Sequence, residues 1–530
     1  MHKVAGAASR QMRKAGGPRT GGRIMPEPIR KSRANPGPPA GTIPIIDRIP
    51  VTIEKAEKVR LAGIADALLA DEPALAMTDV FGPKVRPGLG PGPMVLIGDL
   101  SEIPLLGGQH EPAYEYRIAL LAHDHDILIL SGNRNRDFEV YLKGVLGIGS
   151  LKVIVAGEPA DRGLAPMAKR CLRQSAVFDR LMNAAHTSGS LSIVPHLTTG
   201  HAWKLAQAIA QQSGAEVFVC GPPPRLSRRV NDKLWFADCV TRALGRHKLP
   251  LTLRAFGPAA LAGLVMRLAE SQDKLVVKIP DSAGSAGNLA IQSALIRNMP
   301  LIAVRDRLIK LLAALGWRGR YPLLVEVWDE PIVSSPSVQT WIPLPEDGEP
   351  VVEGIFEQVV EGPAGEFTGA VPASMPEDFM ARLARDAFRL ALVFQQLGYF
   401  GRCSFDGIVK GPSAADGDVH WIECNGRWGG VSLPMTLANR LFGAAFGGSY
   451  VIVQHEGVAM PKRTFAEILQ ILTGLLYDAR SGNEGIILMT TMGLERGSGL
   501  HFMAVAPSLD RTKALATQAS NRLIPVSGDL

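Results

Sequence analysis

Cysteine is scarce in this 530-residue chain: Cys171, Cys220, Cys239, Cys403 and Cys424 are odd in number and scattered. None of them sits in a paired spacing that would hold zinc, and a disulfide framework is excluded. Five isolated thiols fit the reduced interior of a cytoplasmic protein. Long apolar runs are also lacking. No stretch approaches the ~20 residues that a membrane helix needs, and no apolar signal-peptide core lies near the start. A Gly-rich dinucleotide fingerprint is missing too, so nothing points to NAD. Acidic residues are nearly absent from positions 1–40, which hold nine Lys/Arg and one Glu. The other residues are close to neutral, so the net charge of +7 belongs to the start of the chain. A basic body that grips nucleic acid is therefore not expected.

Arg, Lys, Gly, Pro and Ala dominate that start. Such a segment cannot bury enough apolar surface to offset its ordering entropy, so residues 1–50 are expected to form a disordered basic tail. A solvated tail is favoured over one that touches an acidic partner or an RNA. The Arg-rich beginning is also similar to an organelle transit peptide, but it has no convincing apolar helical face. Beyond it, a composition of 46% hydrophobic and 20% charged residues is that of an ordinary globular protein, long enough for several cores.

From residue 51 the periodicity predicts a helix over 52–69, then alternating strands and helices to about 220. That alternation argues for an α/β domain with a parallel sheet over 51–228. A second unit, 229–455, starts with helices and reaches the strand 274–279. There Lys278 sits inside an apolar run and needs a partner. The following 282–288, with Ser282, Gly284, Ser285, Gly287 and Asn288, is a small-residue loop between that strand and an expected helix over 289–297. Its backbone amides could fold over phosphates. The strand 323–328 carries Glu326, Val327 and Trp328. A long amphipathic helix is expected over 376–397, and an α+β segment over 456–530.

The richest chemistry lies in 403–430. Two strands alternate apolar and polar residues around a turn at 411–417. Period-2 geometry puts Glu423 and Asn425 on one face, with Arg427 following and Asp406 within reach on the partner strand. Two carboxylates and an amide oxygen suit Mg²⁺, which keeps waters and substrate phosphates in its shell. An adjacent arginine suits a phosphate or an oxyanion. Cys424 points away from that face and reads as core.

The order Lys233, Lys278 with its small-residue loop, Glu326, Asp406 and Glu423-x-Asn425-x-Arg427 resembles the ATP-grasp superfamily over about 230–450. The preceding α/β domain resembles the pre-ATP-grasp domain. The segments Ala113-Tyr114-Glu115-Tyr116-Arg117, Ser335-Pro336-Ser337-Val338-Gln339, Phe356-Glu357-Gln358 and Gly499-Leu500-His501-Phe502 are similar to a branch that includes the pheganomycin-type peptide ligases. The resemblance implies a two-lobed α+β module that holds ATP between its lobes. Lys233, Lys278 and the 282–288 amides would contact phosphates, and the backbone at Glu326, Val327 and Trp328 would face adenine. Asp406, Glu423 and Asn425 would hold two Mg²⁺ ions, with Mn²⁺ an alternative, and Arg427 would stabilise an acyl-phosphate. The sequence departs from relatives at the ribose-binding acid, where Asp329 or Glu330 must serve or the contact is missing. It departs also at Ser404, where some relatives carry an arginine, a role left to Arg427 or Arg402. The implied activity is ADP-forming carboxylate–amine ligation on small molecules, an amino acid or peptide among them. The alternatives are a small-molecule kinase on the same fold and a non-catalytic nucleotide-binding subunit.

Overall fold

The computed structural model describes residues 42–105, 112–157, 165–282, 287–362, 366–414, 416–478, 484–491, 493–494 and 497–524. The first sheet contains β1 (Val85–Pro87), β2 (Met94–Ile97), β3 (Ile127–Leu130), β4 (Lys152–Val155), β5 (Ser190–Pro195) and β6 (Glu216–Val219). These strands run parallel in the order β1-β6-β5-β2-β3-β4. Every residue of β2, β3 and β5 is buried. Unbroken apolar strands such as Met94-Val95-Leu96-Ile97 require cover on both faces, which only a helix-flanked parallel sheet gives. The helices Ser175–Ser188 and Gly200–Ser213 supply part of it, through Phe178, Leu181, Trp203 and Ile209.

A small second sheet is antiparallel throughout. It orders β7 (Thr252–Ala255), β8 (Lys274–Lys278), β9 (Asn288–Gln292) and β10 (Leu323–Val327) as β7-β10-β8-β9. The helices Pro258–Ala269 and Leu301–Ala314 cover it with Val265, Leu268, Val304, Leu308 and Leu312. One expectation is overturned here. Residues 289–297 form β9 and a short 3-10 turn, not a helix. Ile291 sits opposite Leu275 and joins the lobe's core, so cross-strand burial decides a segment whose local preference is weak. β8 and β9 are antiparallel neighbours, so a strand and not a helix N-terminus follows residue 287.

The third sheet has nine strands: β11 (Ile332–Ser334), β12 (Pro336–Ile342), β13 (Val351–Glu361), β14 (Glu366–Pro372), β15 (Gly401–Lys410), β16 (Asp418–Asn425), β17 (Ser449–Glu456), β18 (Gly485–Leu488) and β19 (Gly499–Ala506). Its main path is β11-β15-β12-β13-β14-β17-β19-β18, and β16 pairs with β15. The helix Glu377–Gln396 lies against it, burying Leu383, Ala387, Leu390 and Phe394.

Three boundaries shift. The helix Lys55–Asp71 packs Leu61, Ala65 and Leu68 into the core of the large sheet, not into the parallel domain. The strands of the α+β segment 456–530 extend the large sheet. Residues 42–50, grouped by composition with the tail, are docked: Ile43 is buried, the Ile46 amide donates to Glu353 (3.2 Å) and Arg48 donates to Asn439 (3.0 Å). Residues 1–41 lie outside the described residues. Among the described residues no helix is long and apolar enough to cross a membrane.

Candidate active site

In the register of β15 and β16, Asp406 stands opposite Glu423 and Ser404 opposite Asn425, while Ser337 of β12 faces Asp406 from the other side. Directly opposed residues of antiparallel strands share a face. Asp406, Glu423 and Asn425 therefore gather as the alternation predicts. The Ser337 hydroxyl donates to Asp406 Oδ1 (2.6 Å), Asn425 Nδ2 donates to Oδ2 (2.7 Å), and Gln339 Nε2 supports the Ser337 hydroxyl (2.8 Å).

Despite those donors the Asp406 carboxyl is pushed up to about 7, first by burial and then by the Glu423 charge, with Ser337, Arg427 and Asn425 pulling the other way. As a residue Asp406 is partly buried. Two carboxyl groups forced together, one of them at the cost of its charge, make a seat for a cation. Among the described residues no group of three or more His, Cys, Asp or Glu side chains converges on a metal position. Two carboxylates fit Mg²⁺, which takes one or two from a protein and completes its shell with water and phosphate oxygens. Asn425 turns its amide nitrogen to Asp406 here, so its oxygen would have to turn inward to serve as a ligand.

Lys233 opens the helix Lys233–Ala243, which Asp232 caps by accepting from the Leu234 and Trp235 amides. It is buried, and its ammonium donates to the Ser282 carbonyl (2.6 Å) while lying 3.4 Å from Glu423 Oε1. One cation thus ties the loop after β8, in the small lobe, to the carboxylate face of the large sheet. Ser282 holds its turn by donating to the Ile279 carbonyl (2.7 Å), and a Cβ on Gly287 would come within 2.1 Å of the Ser282 hydroxyl. Only glycine fits there. Gly284 and Ser285 lie outside the described residues. Asn288 begins β9 opposite Lys278, and its buried Oδ1 has no hydrogen-bond partner among the described residues.

Lys278 forms a buried ion pair with Glu326 across β8 and β10. The Val327 and Trp328 amides donate to the Leu251 and Lys274 carbonyls (both 3.1 Å), which leaves only their carbonyls to face a ligand. The Trp328 ring lies under the Lys274 ammonium at 3.6 Å. Of the two ribose candidates, Asp329 is committed. It contacts His420 Nδ1 at 2.7 Å and Lys410 Nζ at 3.2 Å, and these partners outweigh its burial and hold its carboxyl below the usual range. Glu330 is exposed.

Arg427 sits in the loop just past β16, where Nη1 donates to Asn231 Oδ1 (2.6 Å), an atom that also receives the Gly426 amide (3.1 Å). With this geometry the chain can be set beside known proteins. Residues 115–211 match the family described as the pre ATP-grasp domain. No curated protein matches the chain. Among solved structures it is similar to the N5-carboxyaminoimidazole ribonucleotide synthetase of Thermus thermophilus, with 16% identity and a TM-score of 0.46 over 82% of this chain and 99% of that one. It is similar also to the biotin carboxylase of Campylobacter jejuni, with 12% identity and a TM-score of 0.47 over 84% and 92% of the two chains. Likenesses this faint assign no activity to the chain.

The parallel-sheet domain touches the site through the loop at 426–430, whose Trp428 amide donates to the His196 carbonyl (3.0 Å). Arg402, the alternative to Arg427, is excluded from the cleft. It is buried, paired with Glu353, bonded to Thr436 (3.1 Å), and lies over the rings of Trp341 and Trp428 at 5.4 and 5.1 Å. Asn231, Ser337 and Gln339 are the site residues to which sequence reasoning gave no role. The alternation of Ser337 and Gln339 on an otherwise apolar strand was the available signal.

Proposed function

We propose that the protein is an ATP-dependent carboxylate–amine ligase of the ATP-grasp type, forming an amide or peptide bond through an acyl-phosphate and releasing ADP and phosphate. The observation that carries this reading is the opposed pair Asp406 and Glu423 on the large sheet, with the Lys233 ammonium 3.4 Å from Glu423 and bonded to the Ser282 carbonyl of the small lobe. ATP fits between two such lobes, with its phosphates toward Lys233, Lys278 and the loop that begins at Ser282. For that, Lys233 must exchange Glu423 for a phosphate oxygen, which frees the carboxylate at the moment the nucleotide arrives. Asp406 and Glu423, joined by Asn425 once its amide turns, would hold Mg²⁺. The ion supplies charge neutralisation at the transferring phosphoryl group.

In this reading the substrate carboxylate attacks the γ-phosphorus in line, and an amine then displaces phosphate from the acyl carbon. Arg427, steadied by Asn231, opposes the charge that develops on the acyl-phosphate and on the tetrahedral species after it. No protein nucleophile is needed. Both site-strand cysteines, Cys403 and Cys424, are buried, and burial pushes the Cys424 thiol well up. The resemblance to peptide ligases makes amino acids and peptides the substrates to try first. The test is an ADP-release screen over pairs of carboxylates and amines, with mass spectrometry of the products. Amine-dependent phosphate release with an amide product is expected. Phosphorylated product without an amine would make the protein a kinase, and ATP binding without turnover would make it a nucleotide-binding subunit.

A further inference from the structure

Beside the candidate active site lies a polar cluster that the proposed chemistry does not use. The 3-10 helix Pro112–Leu121 carries Tyr114 and Arg117 from the pre-ATP-grasp domain to the junction of the 426–430 loop with β17 and β19. Arg117 has no exposed surface, yet no carboxylate lies within ion-pair distance of it among the described residues. Its Nη1 donates to the Tyr114 hydroxyl (2.7 Å) and lies 3.4 Å from His501 Nδ1, and its Nη2 donates to the Gly430 carbonyl (3.2 Å). With the Gln454 amide turned so that its oxygen faces the guanidinium, Gln454 accepts from both nitrogens at 2.9 and 3.2 Å. Every acceptor around this cation is neutral. Glu456 stands one layer further out, half exposed, 3.0 Å from His501 Nε2 but off the ring's N–H axis.

A buried guanidinium is costly when no anion accompanies it. Arg402, equally enclosed, has Glu353. Arg117 instead spends its donors on orienting Tyr114. The Tyr114 ring is fixed edge-on against His196 and His501, with centroids 6.2 and 6.0 Å away. Its hydroxyl accepts from Arg117 and so keeps its own hydrogen to give, and no acceptor receives it among the described residues. The second guanidinium, Arg427, likewise has no carboxylate partner among the described residues and is bound through Nη1 alone. It follows Asn425, which donates to Asp406, by two residues, and precedes Gly430, whose carbonyl accepts from Arg117, by three. One hydroxyl donor and two arginines without carboxylate partners therefore adjoin the metal-type carboxylates, which is the donor set of an anion receptor.

We propose that the Tyr114 hydroxyl and the Arg427 guanidinium together receive the carboxylate of the substrate that is to be activated, Arg117 being the positioning residue that holds Tyr114 and the Gly430 loop in place. This rests on the ligase reading and adds to it where the acid binds. The acid is then received where the Pro112–Leu121 helix meets the 426–430 loop, so the parallel-sheet domain contributes directly to recognition.

The test is titration calorimetry of the full chain saturated with MgADP, using the common amino acids and dipeptides, each beside its C-terminal amide. At least one free acid is expected to bind and its amide not to. Tyr114→Phe, which keeps the ring, should weaken that acid about tenfold, as loss of a hydrogen bond to a charged group does, and leave MgADP affinity and melting temperature unchanged. Arg117→Lys keeps the charge and loses the fork, and should weaken the same acid without changing MgADP affinity. Equal binding of acid and amide, an affinity in Tyr114→Phe within twofold of wild type, or no binding by any acid while MgADP binds would each overturn the assignment. Failure of MgADP itself to bind would remove the ligase reading and this inference with it.

Discussion

Lys278 was legible as a lysine inside an apolar strand that must have a partner. Which partner it has was not, because Glu326 is far away in sequence and arrives only through the pairing of β10 with β8. That pairing changes what a substitution will do. Lys278→Ala leaves the buried Glu326 carboxylate without a counterion, and breaking such a pair costs about 3–5 kcal/mol. A stability loss is therefore expected in addition to weaker nucleotide binding, where the sequence suggested mainly the latter. The double variant Lys278→Met/Glu326→Gln removes both charges and should recover most of the melting temperature while nucleotide affinity stays low. Calorimetry with a non-hydrolysable ATP analogue, beside thermal melts of both variants, checks this. Recovery of affinity along with stability would make Lys278 a structural partner and nothing more.

Two elements carry their own predictions. The loop after β16 fixes Arg427 by a single bond to Asn231 and by the Gly426 amide on the same oxygen. Arg427→Lys keeps the charge and loses the planar fork, so a fall in kcat on the order of 10²–10³ is expected with nearly unchanged ATP affinity. If affinity collapses and the saturated rate holds, Arg427 anchors nucleotide instead. In the β17–β19 pair, His501 sits opposite Gln454 with no exposed surface, and burial depresses its pKa to about 4. A histidine depressed in the folded state stays neutral there while the unfolded chain takes up a proton. Stability is thus full above about 6.5 and is lost as the pH falls toward 4. At pH 5 this one group costs on the order of 2 kcal/mol. His501→Gln should flatten that part of the profile in urea titrations at pH 7.5 and 5, and an unchanged slope would assign the acid sensitivity to other groups.

At the scale of the molecule, the excess positive charge and the docked N-terminal segment separate. Deleting residues 1–41 should leave melting and turnover alone, because that stretch holds nine basic groups and few large apolar ones. Deleting through residue 50 should lower the melting temperature by several degrees. It removes Ile43 from the core and takes the Ile46 amide and the Arg48 guanidinium away from Glu353 and Asn439, which themselves hydrogen-bond to each other at 2.8 Å. Equal melting of the two truncations would show that the segment contributes nothing.

By itself the sequence determined what local pattern can encode. Unbroken apolar strands spaced by helices specified a parallel sheet, since such strands tolerate water on neither face. Strict alternation around 411–417 put Asp406, Glu423 and Asn425 on one face, because side chains on a strand have a period of two. Only the tertiary structure decided the rest. Residues 289–297 had no periodicity strong enough to choose helix or strand, and the edge offered by β8 chose for them. The helix Lys55–Asp71 was assigned by order in the chain, yet its apolar stripe found the long helix of the large sheet. The partners of Asp329 and Arg402, and the Gly430, Gln454 and His501 groups around Arg117, come from segments distant in the chain. Such contacts are set by how sheets and loops meet in space, and no window along the chain contains them.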